Sequence, residues 1–368
     1  MNFYLISNSY KSFYLFRKEI IFELSKKYNV ILIANDDEYY EYFNNYYKCV
    51  KLKNVFNNNS LLINLLFILK LIFVFFREKP SFVQTYTIHP NLLCIPIAKI
   101  FFAKTSAMIT GMGATSITKN KLLKFFLNTV YKISFFFCDH IIFVNENNKK
   151  YFEKKLNIKK KNIKIFGAGV SLKKFDKKEI FFEKKYNLKS SFNILFLGRL
   201  IKEKGVLDAI KMFKLLNIKN KKLIFIGGFD KTSFSKIIDY KIFNYPGIIL
   251  TGHIKDPYQI YLKSDIFILP SFTEGMPTTL MEAIRFGIPT VSYKIAGVED
   301  IIINDLNGGL VKAGDYIGML NKIKQINNNS IYKKNLIRNG NKLSKKFDRK
   351  NSIKQTINAY NDNLYYDD

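Results

Sequence analysis

Tryptophan is absent, and cysteine occurs three times in 368 residues, at Cys49, Cys94 and Cys138. The count is odd, the spacing is wide and no Cys-x-x-Cys pair exists. Neither a disulfide framework nor a cysteine zinc site is available, and the thiols read as reduced residues of a cytoplasmic protein. Histidine also occurs only three times. No Asp-x-Asp element and no histidine cluster has metal-ligand spacing, and Asp36-Asp37 reads as a loop or helix cap. Arginine is scarce as well: lysine makes up 53 of the 59 basic residues. Base readout favours arginine, and no helix-turn-helix, zinc or RNA-recognition pattern occurs, so nucleic-acid binding is not expected. The N-terminus, residues 1–7, lacks a positive leader and a small-residue cleavage site and reads as a buried first strand. No long uninterrupted apolar run is present. Residues 61–76 come nearest, but Asn64 and Lys70 interrupt them and they are short for a span. They read as a buried helix of an α/β domain or as an interfacial helix leaning on a membrane. The aromatic stretch 125–137 invites the same two readings.

What is abundant is lysine, asparagine, isoleucine, phenylalanine and tyrosine, with a formal net charge of +30. AT-rich codons produce this bias without selection for binding, and a solvated lysine surface is the plain reading. The other is attraction to an anionic membrane surface or to a pyrophosphate-bearing acceptor. Hydrophobic residues make up 48 % of the chain, enough for a core in each of two domains.

Short apolar runs alternate with helical spacings from the start. Strands are expected at 3–7, 30–34, 82–85, 107–110 and 140–144, with helices at 16–28 and 61–77. The second helix ends at Pro80, which has no N–H to continue the ladder. A second series gives strands at 193–197, 222–226, 248–251, 266–269, 290–293 and 309–311, with helices at 205–216 and 278–286. Continuous apolar strands suit parallel sheets covered on both faces. The expectation is two doubly wound α/β domains at 1–170 and 191–345, a lysine-rich linker at 171–190, and a tail at 346–368 that is helical over 348–361.

Two segments carry chemistry. In Leu197-Gly198-Arg199-Leu200-Ile201-Lys202-Glu203-Lys204-Gly205, a glycine at a strand end lets a ligand approach the backbone. Two cations, Arg199 and Lys204, stand beside a helix start that attracts anions. In Pro270-Ser271-Phe272-Thr273-Glu274-Gly275-Met276-Pro277-Thr278-Thr279-Leu280-Met281-Glu282-Ala283, Glu274 lies on a loop after a buried strand. Glu282 falls in the second turn of the helix after Pro277. Carboxylates suit the vicinal diols of a hexose or ribose. Either acid alone reads as a helix-terminal or surface residue; together in this frame they point to a sugar nucleotide.

The Glu274-x7-Glu282 spacing resembles the signature of retaining, family-four glycosyltransferases of the GT-B fold. The resemblance extends over Gly198, Arg199, Leu200, Lys204 and Gly205, over Thr251-Gly252-His253, over 264–271, over 166–170 and over Asn307-Gly308-Gly309. In the first half, 79–91 and Ile109-Thr110-Gly111-Met112-Gly113 are similar to bacterial polysaccharide, O-antigen and glycan-assembly members. The resemblance implies an α/β fold with two Rossmann-like domains facing each other across a cleft that holds the active site. The first domain would bind the acceptor, the second the nucleotide sugar, and the C-terminal helix would pack back toward the first.

By the same resemblance, Arg199 and Lys204 bind and stabilise the leaving diphosphate. Glu274, with the N–H groups of Gly275 and Met276, holds donor-sugar hydroxyls, and these three side chains, Glu274, Arg199 and Lys204, are the catalytic set. Gly198, Pro277 and Thr278 complete the donor site, and Glu282 takes the ribose. His89, Thr110, Gly111 and Gly113 are the acceptor or cleft candidates. Thr278, Glu299, Thr110, the Asn8-Ser9-Tyr10-Lys11 loop and His89 depart from residues common in the family, so sugar and acceptor preference do not transfer. The expectation is a retaining glycosyltransferase that uses a nucleotide sugar, UDP-linked in the first instance, with no metal or other cofactor. Its acceptor is a glycan or a polyprenyl-diphosphate-linked saccharide of cell-surface polysaccharide, lipopolysaccharide included. The enzyme is expected in the cytoplasm or peripherally on the inner face of its membrane. The alternatives are an epimerase or phosphorylase of the same fold, and a non-catalytic basic protein binding membrane or polyanion.

Overall fold

In a computed structural model of the chain, the described residues are 1–53, 55, 61–111, 120–158, 161–164, 167, 169–170, 185–229, 239–254 and 257–365. Most of the expected linker, 171–184, therefore lies outside the described residues, as do Gly113 and parts of the 166–170 motif. The chain forms two compact units, Met1–Ala168 with Arg349–Asp368, and Gly169–Asp348.

The first unit runs β1 (Asn2–Ser9), α1 (Tyr10–Phe16), α2 (Lys18–Ser25), β2 (Asn29–Asn35), α3 (Tyr40–Asn44), β3 (Lys48–Leu52), α4 (Leu61–Glu78) and β4 (Phe82–Tyr86). It continues with α5 (Ile88–Ile100), β5 (Lys104–Ile109), α6 (Lys121–Phe136), β6 (His140–Phe143), α7 (Glu146–Lys155) and β7 (Lys161–Lys164). The strands form one parallel sheet in the order β3-β2-β1-β4-β5-β6-β7. Its central strands are apolar on both faces because helices cover both. On one face, Phe67, Leu71 and Phe75 of α4 meet Tyr4, Ile6 and Ile33. Tyr131 and Phe135 of α6 meet Ala107, Ile109 and Ile141 on the same side.

The helix expected at 16–28 is α2, Lys18–Ser25; a further helix, α1, precedes it, and the two are separated at Arg17, whose φ of −138° is not helical. Arg17 turns inward: its guanidinium lies 3.9 Å from the centroid of the Tyr86 ring and donates to the Ser12 hydroxyl. The Tyr86 hydroxyl in turn hydrogen-bonds that of Tyr360, at 2.8 Å. This ties the last helix of the chain to β4.

The second unit runs β8 (Phe192–Leu197), a 3₁₀ turn (Lys202–Lys204), α8 (Val206–Leu215), β9 (Lys221–Ile226), β10 (Ile248–Gly252), α9 (Tyr258–Leu262), β11 (Ile266–Leu269) and α10 (Thr278–Arg285). There follow β12 (Thr290–Tyr293), β13 (Gly309–Val311), α11 (Tyr316–Asn328) and α12 (Ser330–Leu343). Its parallel sheet has the order β10-β9-β8-β11-β12-β13. The chain closes with α13 (Arg349–Tyr365), where Arg349 pairs with Glu19 of α2 at 2.6 Å. Among the described residues no helix is long and apolar enough to cross a membrane.

Candidate functional site

The two chemistry-bearing segments of the sequence meet in the second unit, at the carboxyl ends of β8 and β11. These strands are neighbours, and the strand order reverses between them. In open parallel sheets, ligands bind at such reversal points, because the loops leaving the two strands diverge and open a crevice.

The loop after β8 is held by its backbone. Gly198 N donates to Ile226 O (3.0 Å) and Leu200 N to Gly228 O (2.9 Å). The 3₁₀ turn then leads to Gly205 at φ +73°, where α8 begins. A Cβ at Gly205 would lie 1.9 Å from the carbonyl oxygen of Pro270, so only glycine lets this turn press against the end of β11. The contact continues outward, with Phe272 N donating to Glu203 O at 2.9 Å.

This clamping brings together two of the expected site residues. Lys204 Nζ stands 2.6 Å from Glu274 Oε1, across 70 residues of sequence, with side chains only 19 % and 11 % exposed. Such a pair is a charge-assisted hydrogen bond in a partly desolvated setting. Arg199 lies exposed on the same strand-end loop. The Glu274–Gly275 loop is braced from behind by Gly297, where a Cβ would lie 2.0 Å from Gly275 O. Gly198, Glu274, Gly275, Met276 and Thr278 are all half-buried, neither sealed in the core nor fully in solvent.

Pro277 is buried and occupies the cap position before α10 rather than its first turn. The first N–H groups of α10 have no carbonyl within the helix to bond, which suits an anionic or hydroxyl-rich ligand. Glu282, in the second turn, is oriented by a residue that the sequence reading did not single out. The Tyr261 hydroxyl donates to its Oε2 at 3.1 Å. Burial, and then the adjacent Glu282 carboxylate, hold the Tyr261 phenol far above its ordinary pKa, so it keeps its proton.

The other candidates lie in the first unit. His89 is exposed in the first turn of α5, after β4, and Thr110 and Gly111 follow β5, half-buried. Thr87, also missed by the sequence reading, holds φ +69° at the end of β4, with its hydroxyl buried and without a partner. A β-branched residue at positive φ is strained, and such strain concentrates at functional sites. It lies two residues before His89 and beside the β1/β4 order reversal of the first sheet. Asp37 lies in the loop before α3, where its carboxylate accepts from Tyr39 N at 2.9 Å and from Lys11 N at 2.8 Å. Among the described residues no cluster of three or more His, Cys, Asp and Glu is placed to hold a metal ion.

Comparison with known proteins agrees with this geometry. Residues 176–343 match the family described as "Glycosyl transferases group 1". The chain is 27 % identical over 350 residues to the capsular polysaccharide biosynthesis glycosyltransferase CapM of Staphylococcus aureus, covering 92 % of this chain and 91 % of CapM. It is 28 % identical over 359 residues to the N,N'-diacetylbacillosaminyl-diphospho-undecaprenol alpha-1,3-N-acetylgalactosaminyltransferase of Campylobacter jejuni, covering 91 % of each. In fold it is similar to HepE of Anabaena, solved in complex with UDP, with a TM-score of 0.78 at 14 % identity over 98 % of this chain and 100 % of that one. A strand-end site of paired acid and base in the second parallel-sheet unit thus sits in a glycosyltransferase of the GT-B fold whose residues 176–343 match the group 1 family.

Proposed function

We propose that the enzyme moves a sugar, with retention of configuration, from a UDP-sugar to a polyprenyl-diphosphate-linked saccharide in the assembly of a surface polysaccharide. The observation that carries the donor half is the Lys204–Glu274 pair at the reversal point of the second sheet. One partner suits the departing phosphate and the other the sugar hydroxyls. The printed activity of the C. jejuni relative supports the acceptor half, since it names an undecaprenyl-diphosphate-linked substrate. UDP is preferred because the similarly folded HepE was crystallised with it. Lipopolysaccharide remains one of several surface polymers this reading admits.

In this mechanism the bond between the anomeric carbon and the UDP oxygen breaks while negative charge grows on the diphosphate. Arg199, Lys204 and the start of α8 stand ready to stabilise that charge without reorganising. Glu274 and the N–H groups of Gly275 and Met276 hold the sugar, and Glu282 binds the ribose diol. The acceptor hydroxyl attacks from the face the diphosphate leaves, and its proton passes to a departing phosphate oxygen. Charge neutralisation falls to side chains, so the reaction needs no divalent ion. The lipid-linked acceptor places the working enzyme at the inner face of the cytoplasmic membrane.

The test is a panel of UDP-, GDP- and ADP-sugars with a short-chain polyprenyl-diphosphate saccharide, in EDTA, on the wild type, Glu274→Ala and Arg199→Ala. The expected result is turnover with a UDP-sugar, an α-linked product from an α-linked donor, and a loss of about 100- to 1000-fold in each variant. Folded variants that turn over like the wild type would overturn the site assignment.

A further inference from the structure

Helices α4, α5 and α6 lie side by side on one face of the first unit's sheet, since their buried residues meet strand positions that are in register with one another. Their outer side should therefore be polar, as solvent-facing helix surfaces are. It is not. On α4, opposite the buried Phe67, Leu71 and Phe75, an outward stripe at helical spacing consists of Leu62, Leu65, Leu66, Leu69, Phe73 and Phe76, each 53 % to 73 % exposed. On α6, Leu122, Phe125, Phe126, Ile133 and Phe136 are 58 % to 77 % exposed. Just after α5, Phe102 is 94 % exposed. Patches of this kind on a soluble unit mark an interaction surface.

The charges on the layer are predominantly positive. Lys70 and Arg77 on α4 and Lys121 and Lys132 on α6 are exposed. α6 carries no acid, and the one acid of α4, Glu78, is paired with Lys48 at 2.6 Å and lies 3.9 Å from Arg77, which leaves Lys70, Lys121 and Lys132 as the excess charge. Lysine and arginine stems can lie along the apolar surface while their charges reach outward. Large apolar side chains flanked by cations in excess of acids, on helices that cannot span a bilayer, match an element lying in the headgroup layer of an anionic membrane. The polar outer side of α13, with Lys350, Lys354, Gln355 and Asn358 exposed, shows that the apolar character is local and not general to this chain.

We propose that the outer face of α4 and α6 is a docking surface for an anionic phospholipid bilayer, into which Leu69 and Phe73 of α4 and Phe125 and Phe126 of α6 insert. This deepens the reading of a lipid-linked acceptor by naming the surface, and its test needs no turnover.

The experiment is flotation of the full chain with vesicles of phosphatidylcholine alone or mixed equally with phosphatidylglycerol, at low and high salt. The variants are L69E/F73E, F125E/F126E and, as a charge-matched control on α13, Q355E/N358E. The wild type should float with the anionic vesicles, less at high salt, and weakly with the neutral ones. Each docking variant should lose tenfold or more in partitioning, the order expected from keeping two large apolar side chains out of lipid, while the control floats like the wild type. Thermal melting checks that the exposed substitutions leave the fold intact. The proposal is overturned if the wild type ignores anionic vesicles, if the docking variants bind them as the wild type does, or if light scattering shows a dimer in solution that these substitutions dissolve. UDP-sugar binding by calorimetry is measured in parallel, so failure of the donor reading leaves this outcome distinct.

Discussion

The Tyr261 hydroxyl stands 3.1 Å from both Glu282 Oε2 and Thr279 O, so one proton on α9 serves two acceptors on α10. Tyr261 is fully buried and stacks on Phe286 with ring centroids 5.2 Å apart, which leaves the hydroxyl little freedom. Glu282 is thereby held on the side of its Oε2. If Glu282 binds the donor ribose, Tyr261 is its positioning residue. Tyr261→Phe is predicted to raise the donor KM about fivefold, for roughly 1 kcal/mol of lost orientation, with kcat nearly unchanged. Steady-state kinetics with the natural donor and its 2'-deoxy analogue provide the check, since the effect should shrink with the analogue. An unchanged KM, or a loss confined to kcat, refutes the role.

The Lys204–Glu274 pair predicts coupling in the free enzyme. Removing either partner strands the other in a site that is largely shielded, which costs more than the pair itself contributes. Lys204→Ala and Glu274→Ala should each destabilise the second unit by about 1–3 kcal/mol, and the double variant by less than their sum. Urea unfolding of the four proteins gives the coupling directly. Additive losses would mean that the two groups do not sense each other in solution.

How much of this was legible in the sequence follows from what each residue touches. β11, apolar and central, was read at its true bounds, 266–269, because a strand covered on both faces is apolar throughout, and β12 was read at 290–293, where it is buried throughout despite Thr290 and Ser292. β3 (Lys48–Leu52) and β7 (Lys161–Lys164) were not seen: they are the sheet's edge strands, and short polar sequences suffice there. α1 was not seen, and Arg17, between it and α2, looks like a surface residue at a helix start. Only the Tyr86 ring beneath it explains why it turns inward. At the site, the residue types were readable but their pairing was not. Lys204 meets Glu274 because Gly205 lets a turn press on Pro270, a contact no local pattern encodes. The strained Thr87 leaves no trace in composition at all.

Gly297 offers a test of how closely donor binding depends on loop position. Its φ is +81°, and a Cβ there would lie 2.0 Å from Gly275 O and 3.3 Å from Glu274 O. Gly297→Ala must push the Glu274–Gly275 loop away or strain its own backbone. Destabilisation of more than about 1 kcal/mol is predicted, with a loss of donor affinity that persists well below the melting temperature. Gly228→Ala, where no atom lies within 4 Å of the added Cβ, should change stability little. Calorimetry with UDP and thermal melting of both variants separate the two effects. Full donor affinity in Gly297→Ala would show that the loop tolerates displacement.

Acid should loosen the first unit through Asp139. Burial pushes this carboxyl's pKa up, but Lys99 and the two Thr105 groups outweigh burial, and the net pKa lies below the ordinary carboxylate value. Lys99 Nζ is 2.6 Å away, and Thr105 N and Oγ1 donate at 2.7 and 2.9 Å. A carboxyl whose folded pKa is depressed contributes stability that is present above its unfolded pKa, about 3.9, and is lost as pH falls through the folded value. The gap in unfolding free energy between the wild type and Asp139→Asn is therefore predicted to be constant from about pH 5 to 8. It should narrow as the pH drops below about 4. Other acids titrate in the same range, but they do so in both proteins, so the difference isolates Asp139. Urea midpoints at stepped pH measure it, and a gap that stays constant to the lowest accessible pH counts against the pairing. Because Lys99 lies in the last turn of α5, between α4 and α6, the same protonation should loosen the layer proposed to meet the membrane.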